Sequence, residues 1–118
     1  MNGSKILFII VSGPAEIEKA RQGLRIARNI VREKLAQEVR VLFVGPGAHL
    51  LDPSNTHYKL VCDYLTALKE KGVYVAVCSG NLRAYGLDEK VDKQLVIADD
   101  STAVVAEAAS TGFIVITF

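Results

Sequence analysis

Of the two cysteines in this sequence, Cys78 has the context best suited to covalent chemistry. It ends the apolar run VYVAVC, and small or capping residues follow it: Ser79, Gly80 and Asn81. Such residues open helices, so the sequence predicts a thiol at the amino end of a short helix. Unpaired amides at that end, with the nearby charge of Arg83, stabilise a thiolate over a thiol. Because the thiolate is the nucleophilic form, Cys78 is the candidate catalytic residue.

A second interpretation of Cys78 remains open, since cysteine also fills small buried volumes without reacting. The exposure of the side chain decides between the two. Cys62 follows Val61 and precedes Leu65 on an apolar helical stripe, so a packing role is predicted for it. No disulfide is expected, because the low cysteine content is typical of a reducing, cytoplasmic setting.

His49 follows the loop Gly45-Pro46-Gly47 at a strand end. It is predicted to be either a base toward Cys78 or a substrate, or a loop residue with no catalytic task. The loops FVGPGAHL and SGPAE match neither GxGxxG nor GxxxxGK[ST], so each is an anion-binding turn or a plain tight turn. The residues that line a crevice there would be Ser12, Gly13, Gly47 and His49. No metal site is expected, because the cysteines and histidines lack paired ligand spacing.

Buried strands and amphipathic helices must position these residues. Continuous apolar runs predict strands at Lys5 to Val11, Val39 to Val44, Val73 to Cys78 and Phe113 to Phe118, with a shorter one at Leu95 to Ala98. Apolar steps of three and four predict a first helix over about residues 15 to 35. A second helix is predicted to start at Asp52 and Pro53 and to stop at Gly72. A last helix is capped by Asp99, Asp100 or Ser101 and ends before Gly112.

This alternation of strands and helices predicts an α/β fold: a single-domain three-layer sandwich over residues 1 to 118, with a five-stranded, mainly parallel sheet and helices on both faces. In such sheets the functional crevice lies beyond the carboxyl ends of the strands. The residues to examine therefore follow the strands directly, at Ser12 to Ala15, Gly45 to His49, Cys78 to Arg83 and Asp99 to Ser101.

Composition narrows the function classes. The 118 residues are 50% hydrophobic and 23% charged, which is typical of a globular protein. The formal charge of +1 gives no electrostatic field that would attract nucleic acid or an anionic membrane. No segment is apolar for long enough to be a signal peptide or a membrane span. Arg21, Arg25, Arg28 and Arg32 form a basic stripe on the first helix, either a solvated face or a contact for an acidic partner or a second subunit.

The chain resembles the DsrE/DsrF-like family over nearly its whole length. The resemblance rests on KILFIIVSGP, ARQGLRIARNIV, VRVLFVGPGAHLL and VYVAVCSGNLRAYGL, together with the final segment FIVITF. The most specific piece is VCSGNLRAYGL, which places Cys78 at the family's cysteine.

The resemblance implies a sulfur carrier. In such members the cysteine accepts sulfane sulfur as a persulfide and passes it to an acceptor thiol, often of a small TusA-like protein, with no cofactor. It also implies trimers or hexamers. Several relatives have a second cysteine where Asn81 stands here, so this chain would be a single-cysteine carrier. Tyr85 stands where the family commonly has Arg, and Arg83 is a possible substitute.

Two hypotheses of function follow from the sequence. The first is intracellular sulfur transfer through a persulfide on Cys78, whose thiolate is stabilised by the helix amides and Arg83. The alternative is a non-catalytic, oligomeric binding or scaffold protein that holds a small anion or nucleotide at the carboxyl ends of the strands, with Cys78 merely structural.

Overall fold

Five strands and four α-helices make up the part of the chain described by the computed structural model, residues 3–118. The elements are β1 (Lys5–Ile10), α1 (Ile17–Arg32), β2 (Glu38–Phe43), α2 (Tyr58–Glu70), β3 (Tyr74–Cys78), α3 (Ser79–Ala84), β4 (Ile97–Asp99), α4 (Ser101–Ser110) and β5 (Ile114–Thr117). Two 3₁₀ segments, Pro14–Glu16 and Gly45–Leu51, follow β1 and β2. The first two residues of the domain predicted over 1 to 118 lie outside the described part.

The strands form one sheet in the order β4-β3-β2-β1-β5, and every neighbouring pair is parallel. The predicted α/β fold is confirmed. Because all five strands run in the same direction, their carboxyl ends lie along one side of the sheet, which we call the carboxyl edge. The residues that follow β1, β2, β3 and β4 are thereby brought to that edge.

Apolar side chains alternate between the two faces of the sheet and cover both. On one face Phe8 and Phe43 pack with Leu24 of α1 and Leu65 of α2, all four almost fully buried. On the other face Leu7, Leu42 and Ala76 pack against α4. The continuous apolar strand runs in the sequence reflect this burial on two sides.

The predicted start of the second helix is wrong. Asp52 does not cap α2, because its carboxylate accepts hydrogen bonds from the backbone N–H and hydroxyl of Ser54 at 3.0 and 2.9 Å. Asn55 then accepts from the backbone N–H of His57 at 3.1 Å. These two local turns satisfy the backbone without a helix, so α2 begins only at Tyr58.

Two other boundaries differ from the prediction. The first helix ends at Arg32 because Lys34 adopts a left-handed backbone (φ 57°), which closes the last turn in the place usually taken by glycine. The short strand predicted at Leu95 to Ala98 is shifted to β4. The N–H groups of Leu95 and Val96 donate to the carbonyl of Asp92, so pairing with β3 starts only at Ile97.

The loops that follow β1 and β2 pack closely against neighbouring backbone segments of the same chain. A Cβ atom on Gly13 would lie 2.5 Å from the carbonyl oxygen of Pro46, and one on Gly47 would lie 2.2 Å from that of Ile10. Both distances are well inside van der Waals contact with backbone atoms. These two positions therefore require glycine for a close approach of two chain segments.

None of the helices in the described range has both the length and the hydropathy needed to cross a bilayer.

Replacement of Gly47 by alanine is expected to destabilise the fold by about 1 to 3 kcal/mol, because the backbone must shift to relieve the contact with Ile10. Urea unfolding followed by circular dichroism measures the change. Gly80→Ala is the control, since Gly80 is exposed in α3 and its added Cβ would meet only Cys78 Sγ at 3.8 Å. An unchanged midpoint for Gly47→Ala would contradict the packing argument.

Candidate functional site

Cys78 is the last residue of β3 and the residue that caps α3. Its backbone is still extended (φ −61°, ψ 115°), and the helix begins at the next residue. The side chain is half-buried at the carboxyl edge, and its Sγ accepts the backbone N–H of Asn81 at 3.4 Å. The thiol is therefore held at a half-buried position by the start of the helix.

A second element supplies another donor to the thiol. The hydroxyl of Ser101, the first residue of α4, donates to Cys78 Sγ at 3.3 Å. The contact arises because β3 and β4 are neighbours with Cys78 and Asp99 as register partners, so the chain after β4 passes beside the end of β3. Parallel pairing thus joins two residues that are 23 positions apart in sequence.

Burial and hydrogen bonding have opposite effects on the pKa of Cys78. Burial raises it, but donation from the Ser101 hydroxyl and from the backbone N–H groups of Asn81, Gly80 and Ser101 lowers it, and the balance is a pKa below the ordinary thiol value. Hydrogen bonds to a thiolate favour the charged form. The site therefore increases the fraction of nucleophilic thiolate at neutral pH.

Asn81 links this site to the neighbouring loop. Its backbone N–H faces Cys78, while its side-chain oxygen accepts the N–H of Gly45 at 2.8 Å. One residue thus binds the thiol and also fixes α3 to the segment after β2. Leu82, fully buried in the core, anchors the same helix to the rest of the protein.

The other residues predicted to stabilise the thiolate differ in their surroundings. Ser79 is half-buried and directly follows Cys78, and Gly80, one position further on, is exposed. Arg83 is exposed on α3; its guanidinium makes no hydrogen bond to Cys78 and is not among the groups that shift the pKa of the thiol. Its role toward thiolate or substrate stays a prediction.

The predicted crevice residues Ser12, Gly13, Gly47 and His49 lie at the carboxyl edge, where the first three are buried and His49 is half-buried. Ser12 is buried, and its N–H donates to the carbonyl of Phe118 at 3.2 Å. Gly13 and Gly47 are in close contact with backbone, as described above. The ring of His49 stacks on Tyr85 with centroids 4.5 Å apart. The structure does not join His49 to Cys78 by a hydrogen bond.

Cys62 lies half-buried inside α2, one turn after Tyr58. Interaction with the Cys62 side chain, together with burial, raises the pKa of Tyr58 to about 12. Both cysteines are free. In the part of the chain that the structure describes, no three His, Cys, Asp or Glu side chains come together as metal ligands.

The whole described chain apart from its first residue matches one family. The sequence model of the DsrE/DsrF-like family aligns with residues 4–118. The chain belongs to this family. No curated protein matches the sequence of this DsrE/DsrF-like protein.

Solved structures share the fold over nearly the whole chain. The YchN protein of E. coli is similar with a TM-score of 0.79 and 17% identity, covering 98% of this chain and 99% of its own. A protein of unknown function from Bacteroides thetaiotaomicron, BT1422, gives 0.76 and 11%, with coverage of 98% and 95%. MTH1491 from Methanobacterium thermoautotrophicum, also of unknown function, gives 0.71 and 15%, with 99% and 100%. At these identities the likeness concerns the fold.

Sequence reasoning missed the contact between Ser101 and the thiol. It placed Asp99 to Ser101 at the carboxyl edge and gave Ser101 as one of three possible caps of the last helix. The cap is Asp100, another of the three, which accepts the N–H of Thr102 at 3.0 Å. The signal that could have found Ser101 is strand order. If β4 is placed beside β3, the first residue after β4 must pass the end of β3.

Replacement of Ser101 by alanine is expected to raise the pKa of Cys78, because the thiolate loses a donor. In a Cys62→Ser background, iodoacetamide alkylation measured against pH should move to higher pH. At neutral pH the rate should fall roughly fivefold, the change that a net hydrogen bond of about 1 kcal/mol produces. Thr102→Ala, one position further along α4 and exposed, is the control. An unshifted profile for Ser101→Ala would show that its hydroxyl does not act on the thiol.

Proposed function

We propose that this DsrE/DsrF-like protein carries sulfane sulfur as a persulfide on Cys78 and passes it to the thiol of a partner protein, such as a small TusA-like carrier. The observation that supports the proposal is the half-buried Cys78 Sγ at the carboxyl edge, hydrogen-bonded by Ser101 and Asn81. These donors favour the thiolate that attacks a sulfane sulfur. Membership of the family adds to the argument.

The chemistry requires a thiolate in both half-reactions. Cys78 thiolate attacks the outer sulfur of a donor such as thiosulfate; the new Sγ–S bond forms as the donor S–S bond breaks, and sulfite leaves with the electron pair. An acceptor thiolate then attacks the outer sulfur of the persulfide, and Cys78 leaves as a thiolate. A thiol of low pKa is a good leaving group in the second step. Sulfur moves between thiols without an external oxidant, reductant or cofactor.

Asn81 bears on how the persulfide is discharged. Where several relatives have a second cysteine, this chain has an amide side chain bonded to Gly45. An adjacent thiol is therefore not present to displace the sulfur and close a local disulfide. We infer that the thiol of another molecule removes the sulfur from the Cys78 persulfide, in a reducing compartment such as the cytoplasm.

The packing of the edge loops argues against the alternative function as a binder of anions or nucleotides. Phosphate cradles need glycines whose open side faces the ligand. At Gly13 and Gly47 the open side faces the protein's own backbone at 2.5 and 2.2 Å. Packing accounts for these two glycines without a ligand.

We also propose that the protein self-associates as a trimer or hexamer. β5 is an edge strand that pairs only with β1 among the described strands, and it exposes three consecutive large apolar residues, Ile114, Val115 and Ile116. Exposed apolar strand edges are commonly covered by a neighbouring chain. Subunit contact at β5 would remove this surface from water.

Incubation with thiosulfate or polysulfide is expected to add the mass of one or more sulfur atoms to the intact protein, and treatment with dithiothreitol should remove them. The adduct should form on the Cys62→Ser variant and be absent from Cys78→Ser. These two matched variants separate the edge thiol from the helix thiol. An adduct that persists in Cys78→Ser, or none in the unaltered protein, would overturn the proposed function.

Light scattering after size exclusion should give a mass of three or six chains for the unaltered protein. Ile114→Lys is expected to lower that mass, because a charge would be buried at the subunit contact. Leu35→Lys is the matched control, since Leu35 is a comparably exposed apolar residue (53% against 56%) outside the sheet. A monomeric unaltered protein, or equal masses for all three, would contradict assembly through β5.

A further inference from the structure

A hydrogen bond joins Tyr74 of β3 to Asp99 of β4, the residue that is aligned with Cys78 in the sheet. Tyr74 and Cys78 project from the same face of β3, with Ala76 between them, because strand residues alternate. Asp99 of β4 is the register partner of Cys78. The hydroxyl of Tyr74 donates to Asp99 Oδ2 on the wall of a groove of about 400 Å³ between the sheet and α4.

The second carboxylate oxygen of Asp99 fixes the turn that leads into α4. Oδ1 of Asp99 accepts the backbone N–H of Asp100 at 2.8 Å, and Asp100 in turn caps the helix through the N–H of Thr102 at 3.0 Å. Ser101 lies between these two bonded amides. Its position beside Cys78 is therefore set by a turn that is bonded on both sides.

We propose that Tyr74 and Asp99 are positioning residues, which hold the turn after β4 so that the Ser101 hydroxyl stays against Cys78 Sγ. Neither side chain hydrogen-bonds the thiol itself. Tyr74 orients the carboxylate of Asp99, the carboxylate orients the amide of Asp100, and the next residue carries the donor. The inference rests on the proposed function for its purpose, while its physical content is the reactivity of Cys78.

Direct electrostatics would give the opposite effect from positioning. A carboxylate close to a thiolate disfavours the charged thiol, so removing the charge of Asp99 would make Cys78 more reactive. Loss of positioning would instead let Ser101 move away and make Cys78 less reactive. The sign of the change in an Asp99 variant therefore distinguishes the two roles.

The test of Tyr74 and Asp99 requires that the other charges near them stay unchanged. Arg40 of β2, bonded to Glu38 and to Glu107 of α4, faces the Tyr74 hydroxyl from the neighbouring elements. Arg83 is the exposed cation on α3 beyond Cys78. Tyr74→Phe leaves all of these charges in place and removes only the hydroxyl, so it is the cleanest variant.

The test is alkylation of Cys78 by iodoacetamide against pH in the Cys62→Ser protein. Tyr74→Phe and Asp99→Ala should each shift the profile to higher pH and slow the reaction at neutral pH roughly threefold, a part of what Ser101→Ala costs. In a Ser101→Ala background neither change should have a further effect, because the donor they position is gone. Tyr85→Phe is the matched control, an exposed tyrosine outside this network.

The outcomes separate cleanly. An unshifted profile for Tyr74→Phe, a faster reaction for Asp99→Ala, or equal effects with and without Ser101 would overturn the positioning role. Thermal unfolding of each variant is the check for a general loss of structure, which would also remove the donors to Cys78 and move its alkylation profile toward that of an ordinary cysteine. The comparison therefore uses only variants that remain folded at the assay temperature. Failure of the sulfur adduct to form would overturn the proposed function alone, since alkylation reads the thiol without sulfur chemistry.

Discussion

The parallel pairing of β3 with β4 is the constraint on which the site depends. It is a short contact, three residues long, in which Cys78 is aligned with Asp99. Because both strands end at the same edge, the helices that follow them start side by side. The thiol of one junction and the hydroxyl of the other then come within 3.3 Å. A shift of the register by one residue would turn β4 over and direct Asp99 to the opposite face.

The reactivity of Cys78 is a balance between two effects of the same packing. Partial burial by itself would hold the sulfur as a neutral thiol, which is how most buried cysteines behave. The same enclosure brings one hydroxyl and several backbone N–H groups to the sulfur, and these lower its pKa more than burial raises it. Cys62 is also half-buried, but it lies within a helix whose backbone amides are already paired. Only Cys78 lies where chain segments begin.

At the same edge, packing accounts for two of the glycines in the loops after β1 and β2. Glycines after β1 and β2 resemble a ligand-binding loop in the sequence, yet their missing side chains make room for Pro46 and Ile10. That close contact holds the first two loops together, and the bond from Gly45 to Asn81 extends the contact to α3. These joined loops thus contact the Cys78 junction from one side, and the turn into α4 contacts it from the other.

The sequence by itself determined the α/β class, the parallel sheet and the place of Cys78 at a strand end, because apolar runs and helical stripes report burial locally. It was wrong about the start of α2, where the side chains of Asp52 and Asn55 satisfy the backbone in turns instead of a helix. The tertiary structure alone decided which junctions become neighbours. No local pattern contains the strand order, so the contacts of Ser101 with Cys78 and of Tyr74 with Asp99 could not be predicted. They join residues 23 and 25 positions apart, and only the pairing of β3 with β4 brings them together.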